Sequence, residues 1–207
     1  MKLSVRFAAL AAAAALSLPF SAEAQSGAGA SITPYAGYLV PGNIMDGPLG
    51  TNITTTNAPV FGAQAAIPLT RGVSLIGNLA YSSGDLQVGV PILGGINVGT
   101  SKTFFYDAGI ELGGMAGKGG VGVKPFVQGG IGGMTNDIKN GLVNTRSTNI
   151  AYSAGVGVDV GVSKGFALRV QAKDWMGKFD TQEAVGFKTN TNLAHNWALT
   201  AGIKLAF

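Results

Sequence analysis

The sequence predicts an all-β protein, an eight-stranded antiparallel up-and-down transmembrane β-barrel. Three observations predict this fold. Apolar and polar residues alternate with a period of two through most of the chain, and eight segments rich in β-branched and aromatic residues are bounded by Gly, Asn, Asp and Pro. The connections between these segments are alternately short and long. That pattern is typical of an up-and-down sheet with tight turns at one end and large loops at the other.

The composition excludes several classes of protein. The 207 residues include 33 glycines and no cysteine, and only 12% of them are charged. Without cysteine there is no disulfide framework, no thiolate metal site and no thiol catalysis. A hydrophobic fraction of 46% argues against intrinsic disorder. The net charge of +4 comes from scattered basic residues, so we expect no nucleic-acid partner.

Residues 1–24 read as a cleaved signal peptide. Lys2 and Arg6 form a basic start, an apolar run covers 7–16, and Ala22-Glu23-Ala24 presents small residues at the two positions that a signal peptidase reads. The apolar run is too short for a membrane helix, which needs about 20 residues. We therefore expect cleavage before Gln25, export from the cytoplasm, and one barrel domain over residues 25–207.

The strands and their connections are placed from the alternation and the turn residues. The predicted strands are 31–40, 58–69, 73–84, 102–115, 123–135, 149–162, 166–178 and 195–207. The short connections lie at 70–72, 116–122 and 163–165, and the long ones at 41–57, 85–101, 136–148 and 179–194.

Strand length decides which face is outside. In the last strand Trp197, Leu199 and Ile203 share one face, and Asn196, Thr200 and Lys204 share the other. A soluble, lipocalin-like barrel would hide the apolar face, whereas a membrane barrel displays it. Predicted strands of about 10–13 residues match tilted membrane strands and exceed the usual five or six. We therefore place the apolar face against lipid, with glycines on the inward face making room for long polar side chains.

Charged residues of both signs fall on the inward face. Asp107 and Glu111 share the inward side of the fourth strand, and Asp159 lies opposite Arg169 because each is five residues from the turn centre at Lys164. The remaining inward residues are Lys173, Lys204, Gln64 and Gln128. Opposite charges paired across strands fix register, so the sequence predicts a lumenal salt-bridge network. In an eight-stranded barrel such a network either only satisfies buried charges or acts as a gate.

Four segments carry a family resemblance. The closing strand Asn196-Trp-Ala-Leu-Thr-Ala-Gly-Ile-Lys-Leu-Ala-Phe207 resembles that of bacterial outer-membrane β-barrels. Ile32-Thr-Pro-Tyr-Ala-Gly-Tyr38, Lys124-Pro-Phe-Val-Gln-Gly-Gly-Ile-Gly132 and Leu168-Arg-Val-Gln-Ala-Lys-Asp-Trp175 are similar to strands of porin-family barrels, including the OmpA barrel domain and OmpW-type proteins. The resemblance implies a bacterial outer-membrane location, contact with outer-membrane lipid, and recognition of Phe207 in the closing strand by the barrel assembly machinery. Because the chain ends at Phe207, we expect no peptidoglycan-binding domain of the OmpA kind.

The leading functional hypothesis is a monomeric, non-enzymatic barrel with a structural or surface-interaction role. The alternative is a narrow pore or channel for small or hydrophobic solutes, because the resemblance implies a gate for the charge network and an OmpW-like apolar mouth for the loop at 86–98. That loop also reads as a hairpin extension turning at Gly94-Gly95.

An enzyme is the remote alternative, as a lipid-modifying barrel that uses the single histidine, His195, with Asp180 or Glu183 to orient it. The hypothesis has no further support, because no residue pattern indicates a catalytic, metal or cofactor site. We expect His195 to lie at headgroup level beside Trp197. The same interfacial role is predicted for the aromatic residues near strand ends, namely Tyr35, Tyr38, Tyr81, Phe104, Tyr106, Trp175, Phe179 and Trp197.

Overall fold

The structure is a computed structural model that describes residues 29–41, 45–46, 52–90, 94–113, 122–140, 143–178 and 193–207. Eight long strands form the wall: β1 (Ser31–Pro41), β2 (Ala58–Thr70), β3 (Val73–Val90), β4 (Gly94–Gly113), β5 (Gly122–Asn140), β6 (Val143–Ser163), β7 (Phe166–Lys178) and β8 (Leu193–Ala206). Two short strands, Met45–Asp46 and Asn52–Thr55, lie between β1 and β2. None of the described residues forms a helix long and apolar enough to cross a membrane.

Each long strand pairs antiparallel with the next one along the chain, and the sheet closes on itself. The closing pair is β1 with β8, where Ser31 lies opposite Ala206 and Pro41 opposite Asn196. Beyond the barrel, the short strand Asn52–Thr55 pairs with the distal part of β3. The predicted fold class, a closed eight-stranded up-and-down barrel, is confirmed. The predicted signal peptide at residues 1–24 lies outside the described residues.

Strands β3 to β6 are longer than predicted. Much of the segments at 85–101 and 136–148, which were predicted to be long loops, continues the antiparallel ladders of β3–β4 and β5–β6. The hairpin predicted for the loop at 86–98 is confirmed, but its predicted turn at Gly94-Gly95 is wrong, because these residues pair with Val90 and Gly89. Leu86, Val88 and Val90 still alternate with Gln87 and Gly89, whereas the residues at 136–148 are rich in Asn and Thr and do not alternate.

The short turns depend on glycine. Gly72 and Gly165 have φ angles of 80° and 78°, in the left-handed region that other residues rarely adopt. Their carbonyl oxygens accept hydrogen bonds from the backbone N–H groups of Gly113 and Ala206, at 2.9 and 2.8 Å. Each turn is therefore tied to the strand that follows on the other side and held in the rim of the barrel.

Burial follows the predicted faces. On β6, Tyr152 and Val156 are exposed, whereas Ser153 and Asp159 are buried. The same arrangement holds around the wall, where the exposed fraction reaches 69% for Ile150 while charged side chains are buried inside. A soluble barrel would show the opposite arrangement, so the outer wall is suited to lipid.

Lumenal glycines lie under long side chains. The Tyr35 ring covers Gly62, the Phe126 ring covers Gly157, and Gln128 covers Gly155, so that a Cβ atom at any of these glycines would overlap its neighbour. This is the use predicted for inward glycine.

The aromatic prediction needs one correction. Tyr35 and Trp175 face the lumen and are almost fully buried, because both supply a polar group to the interior. Tyr38, Tyr81, Phe104, Tyr106 and Trp197 are exposed on the outer wall, together with Phe61 and Tyr152. Phe61, Tyr81 and Phe104 lie directly opposite one another across β2, β3 and β4. Phe179 lies outside the described residues.

Candidate functional site

The centre of the lumenal site is Arg169, which β7 points inward between the exposed Leu168 and Val170. Its Nε and Nη2 atoms donate to the two carboxylate oxygens of Asp159, at 2.6 and 2.8 Å. Its Nη1 and Nη2 atoms donate to the two oxygens of Glu111, at 2.8 and 3.1 Å. The guanidinium is thus bidentate to two carboxylates at once, the strongest geometry open to an arginine.

Three further side chains complete this arginine layer. Lys204 donates from Nζ to Asp159 Oδ2 at 2.8 Å and lies 3.9 Å from Glu111 Oε1. Gln64 donates from Nε2 to Glu111 Oε2 at 3.1 Å. The guanidinium carbon of Arg169 lies 4.1 Å from the centre of the Phe126 ring, a cation–π contact. The layer thereby joins β2, β4, β5, β6, β7 and β8 across the lumen.

A second layer is built around Asp107 on β4. Asp107 Oδ1 accepts from Lys173 Nζ at 2.7 Å and from Ser153 Oγ at 3.0 Å. Asp107 Oδ2 accepts from Trp175 Nε1 at 2.9 Å and from Asn78 Nδ2 at 3.1 Å. Four donors from three other strands therefore satisfy this carboxylate, and Lys173 beside it is completely buried. An unpaired charge at this depth would cost several kcal/mol.

An apolar layer closes the side nearer the long hairpins. The rings of Phe105 and Trp175 stack with their centroids 4.6 Å apart. They belong to a buried cluster made of Tyr35, Leu39, Val60, Ala80, Phe105, Met134, Ala151, Trp175 and Ala198. On β4 and β7 the cluster residues lie between the charged residues and the hairpin end of the strand. The lumen is therefore filled by three successive layers.

Among the described residues, the charges of the lumenal network balance. All six residues predicted for the network, Asp107, Glu111, Asp159, Arg169, Lys173 and Lys204, face inward and are ion-paired, three acids with three bases. Five are buried, and Lys204 is partly exposed at the short-turn end. Sequence reasoning missed the donors Asn78, Ser153 and Trp175. Each of the three occupies an inward position in the alternation of its strand, and this was the signal that could have identified them.

His195 lies on the outer wall and pairs with an acid that sequence reasoning missed. Its Nδ1 atom is 2.6 Å from Asp174 Oδ2, across the β7–β8 pair. Asp174 is buried, with Trp197 directly opposite, and its Oδ1 has no hydrogen-bond partner among the described residues. Asp180 and Glu183, the predicted partners, lie outside that part of the chain. Within it, no hydroxyl group hydrogen-bonds to the imidazole.

Phe207, the predicted assembly signal, is 70% exposed at the short-turn end. Its backbone N–H donates to Ala30 O at 2.9 Å, which ties the last residue to the start of β1. In the ranges that the structure describes, no three His, Asp or Glu side chains are grouped closely enough to hold a metal ion.

Comparison with known proteins places the chain among outer-membrane barrels. The model of the family described as outer membrane protein beta-barrel domain matches residues 7–207. No curated protein sequence matches the chain.

Three solved structures illustrate the likeness of fold. OprG of Pseudomonas aeruginosa is 11% identical, with 88% of this chain and 98% of OprG covered and a TM-score of 0.61. Neisserial surface protein A is 14% identical, with 88% and 100% covered and a TM-score of 0.57. The N-terminal barrel domain of Pseudomonas aeruginosa OprF is 15% identical, with 88% and 100% covered and a TM-score of 0.51. At these identities the likeness shows the fold alone.

Proposed function

The chain belongs to the family of outer membrane protein β-barrel domains, and from that premise we propose that it serves as a closed, non-enzymatic barrel with a structural or surface-interaction role in the bacterial outer membrane. The observation that carries the proposal is the lumenal charge network, in which Arg169 is bidentate to both Glu111 and Asp159. In a barrel whose lumen is filled by such pairs, the surfaces free to contact other molecules are the outer wall and the external hairpins.

The geometry of the lumen supports closure. Eight strands enclose an interior just wide enough for side chains, and here two charged layers and one apolar layer occupy it. To open a path, a solute would have to separate buried ion pairs, and each separated pair leaves charges without solvent. The arginine layer therefore acts as a plug in this proposal.

The second candidate is a narrow channel for small or hydrophobic solutes. The apolar layer containing Phe105, Met134 and Trp175 favours it, because such a surface suits an apolar solute entering from the hairpin end. The charged layers beneath it oppose passage to the short-turn end. We therefore rank the channel below the closed barrel.

The enzyme hypothesis is weaker still. A histidine base needs a nucleophile or an activated water beside it, and the Asp174–His195 pair has no hydroxyl partner in the described ranges. We propose that the pair is an interfacial feature of the outer wall, and that the protein has no catalytic residue.

Export and assembly follow from the same proposal. Residues 1–24 would direct export as a signal peptide and be removed. The closing strand with Phe207 would engage the barrel assembly machinery, and the finished barrel would be a monomer held by outer-membrane lipid.

Conductance across a planar bilayer tests the proposal. We expect the wild-type protein to give no step conductance. The double variant Glu111→Ala/Arg169→Ala should give small steps, because it removes one acid and one base of the plug and leaves the net charge of the lumen unchanged. Lys102→Ala, on the outer wall, serves as the control and should remain silent. Steady steps from the wild type would refute the closed barrel and favour the channel. Release of fatty acid from lipid, lost in His195→Ala, would refute both.

A further inference from the structure

The short-turn end of the barrel carries exposed side-chain charge of one sign only, within the part of the chain that the structure describes. Arg71 is at the tip of the β2–β3 turn, Lys164 is at the tip of the β6–β7 turn, and Lys124 is near the start of β5. All three side chains are exposed. The nearest acids, Glu111 and Asp159, are buried and paired with Arg169, and only the carboxyl group of Phe207 adds negative charge here.

The three residues are spread along the rim. The strand β4 separates the β2–β3 turn from the start of β5, whereas β5 is next to β6 and its turn to β7, so the three cations lie along about one half of the rim. We call Arg71, Lys124 and Lys164 the basic rim. The hairpin end differs, because its exposed Lys102 and Asp85 have opposite signs.

The basic rim lies at the edge of the lipid-facing surface. Leu69 and Val162 are exposed two residues before Arg71 and Lys164, and Val123 is exposed next to Lys124. Two strand residues span about 7 Å, so Arg71 and Lys164 lie within a side chain's reach of the boundary between apolar wall and water. Lys124 is on the lumenal face of β5, opposite Asp159, and its side chain is exposed at the mouth of the barrel. The backbone hydrogen bonds of Gly72 and Gly165 hold both turn tips at this level.

From this placement we infer that the basic rim binds anionic phospholipid headgroups in the leaflet at the short-turn end. The exposed apolar wall ends beside the turn tips of Arg71 and Lys164, and headgroup phosphates lie next to the edge of such a wall. An anionic bilayer surface attracts basic residues only within about 10 Å. Each basic side chain near such a surface strengthens its binding to anionic headgroups about fivefold.

Lipid composition around the barrel tests the inference. The protein is reconstituted in nanodiscs that contain mostly phosphatidylcholine with a minority of phosphatidylglycerol, and the lipids retained on it are counted by native mass spectrometry. We expect phosphatidylglycerol to be enriched several-fold over its bulk share, and the enrichment to fall with added salt. The variant Arg71→Gln/Lys124→Gln/Lys164→Gln should bring the ratio to the bulk value.

A matched control removes three positive charges from strand positions toward the hairpin end, in Lys102→Gln/Lys139→Gln/Arg146→Gln. It should keep the enrichment. Equal losses in both triple variants, or no enrichment in the wild type, would overturn the inference. So would loss of co-sedimentation with peptidoglycan in the rim variant while its lipid ratio is unchanged, since the partner would then be the cell wall. If the triple variant fails to fold, Arg71→Gln alone should lower the enrichment by about a third, and an unchanged ratio would count against the rim.

Discussion

Replacement of Arg169 by methionine probes the lumenal network most directly. Methionine keeps much of the side-chain length and packing against Phe126 but removes the cation. Four hydrogen bonds are lost, two to Asp159 and two to Glu111. Lys204 still holds Asp159 at 2.8 Å, whereas Glu111 keeps only the donor Gln64 at 3.1 Å and Lys204 at 3.9 Å.

The expected loss can be estimated from these contacts. Removing one partner of a buried ion pair costs about 3–5 kcal/mol, because the remaining charge stays buried. Lys204 moderates the cost at Asp159, so we expect Arg169→Met to lower the free energy of unfolding by about 4 kcal/mol. Gln171→Met is the matched control. Gln171 is equally buried two residues along the same face of β7, but it is neutral and accepts one long hydrogen bond from Gln128, at 3.4 Å. Its loss should cost about 1 kcal/mol.

Urea unfolding in lipid vesicles, followed by the difference in gel mobility between folded and unfolded protein, measures both variants. A double-mutant cycle with Glu111→Met should give a coupling energy of about 2–3 kcal/mol. The reasoning is refuted if Arg169→Met and Gln171→Met differ by less than about 1 kcal/mol, because the network would then contribute no more than ordinary lumenal packing.

Three further predictions test the walls of the barrel. Gly62→Val should destabilise the fold by about 1–3 kcal/mol because its side chain would overlap the Leu79 carbonyl oxygen and the Tyr35 ring, whereas Gly77→Val, with open space around it, should be near neutral in the same urea assay. Val156→Arg on the outer wall should cost about 2–4 kcal/mol in vesicles, and a neutral result would contradict lipid contact. Brominated lipid should quench the fluorescence of a Trp175→Phe variant strongly and that of a Trp197→Phe variant weakly; the reverse order would contradict the assigned faces.

Sequence reasoning predicted the barrel well because the lipid imposes a strict alternation. Along β7, every second residue faces the lumen, so Arg169 and Lys173 could be placed inside from the sequence alone. Parity also put Asp107 and Glu111 in the lumen. It could not say which carboxylate meets which cation, because contacts across a lumen depend on strand tilt and stagger, which no local pattern encodes.

The failures have separate physical causes. Trp175 was assigned to the interface as an aromatic residue near a strand end, yet its indole N–H donates to Asp107, a contact across the lumen. Asp174 was missed as the partner of His195 because the pair is diagonal between neighbouring strands. The distal parts of β5 and β6 are predicted as a loop from the sequence because the residues at 136–148 are rich in Asn, Thr and Gly and do not alternate.

The length of the central strands has a consequence for how the protein meets its surroundings. β4 has 20 residues, and at about 3.4 Å per residue with a tilt near 40° it rises about 50 Å along the barrel axis. The apolar band of such barrels is about 25 Å tall. Paired hairpin strands therefore project on the order of 20 Å above the bilayer. A large molecule arriving from outside would contact this hydrogen-bonded sheet well before it reached lipid.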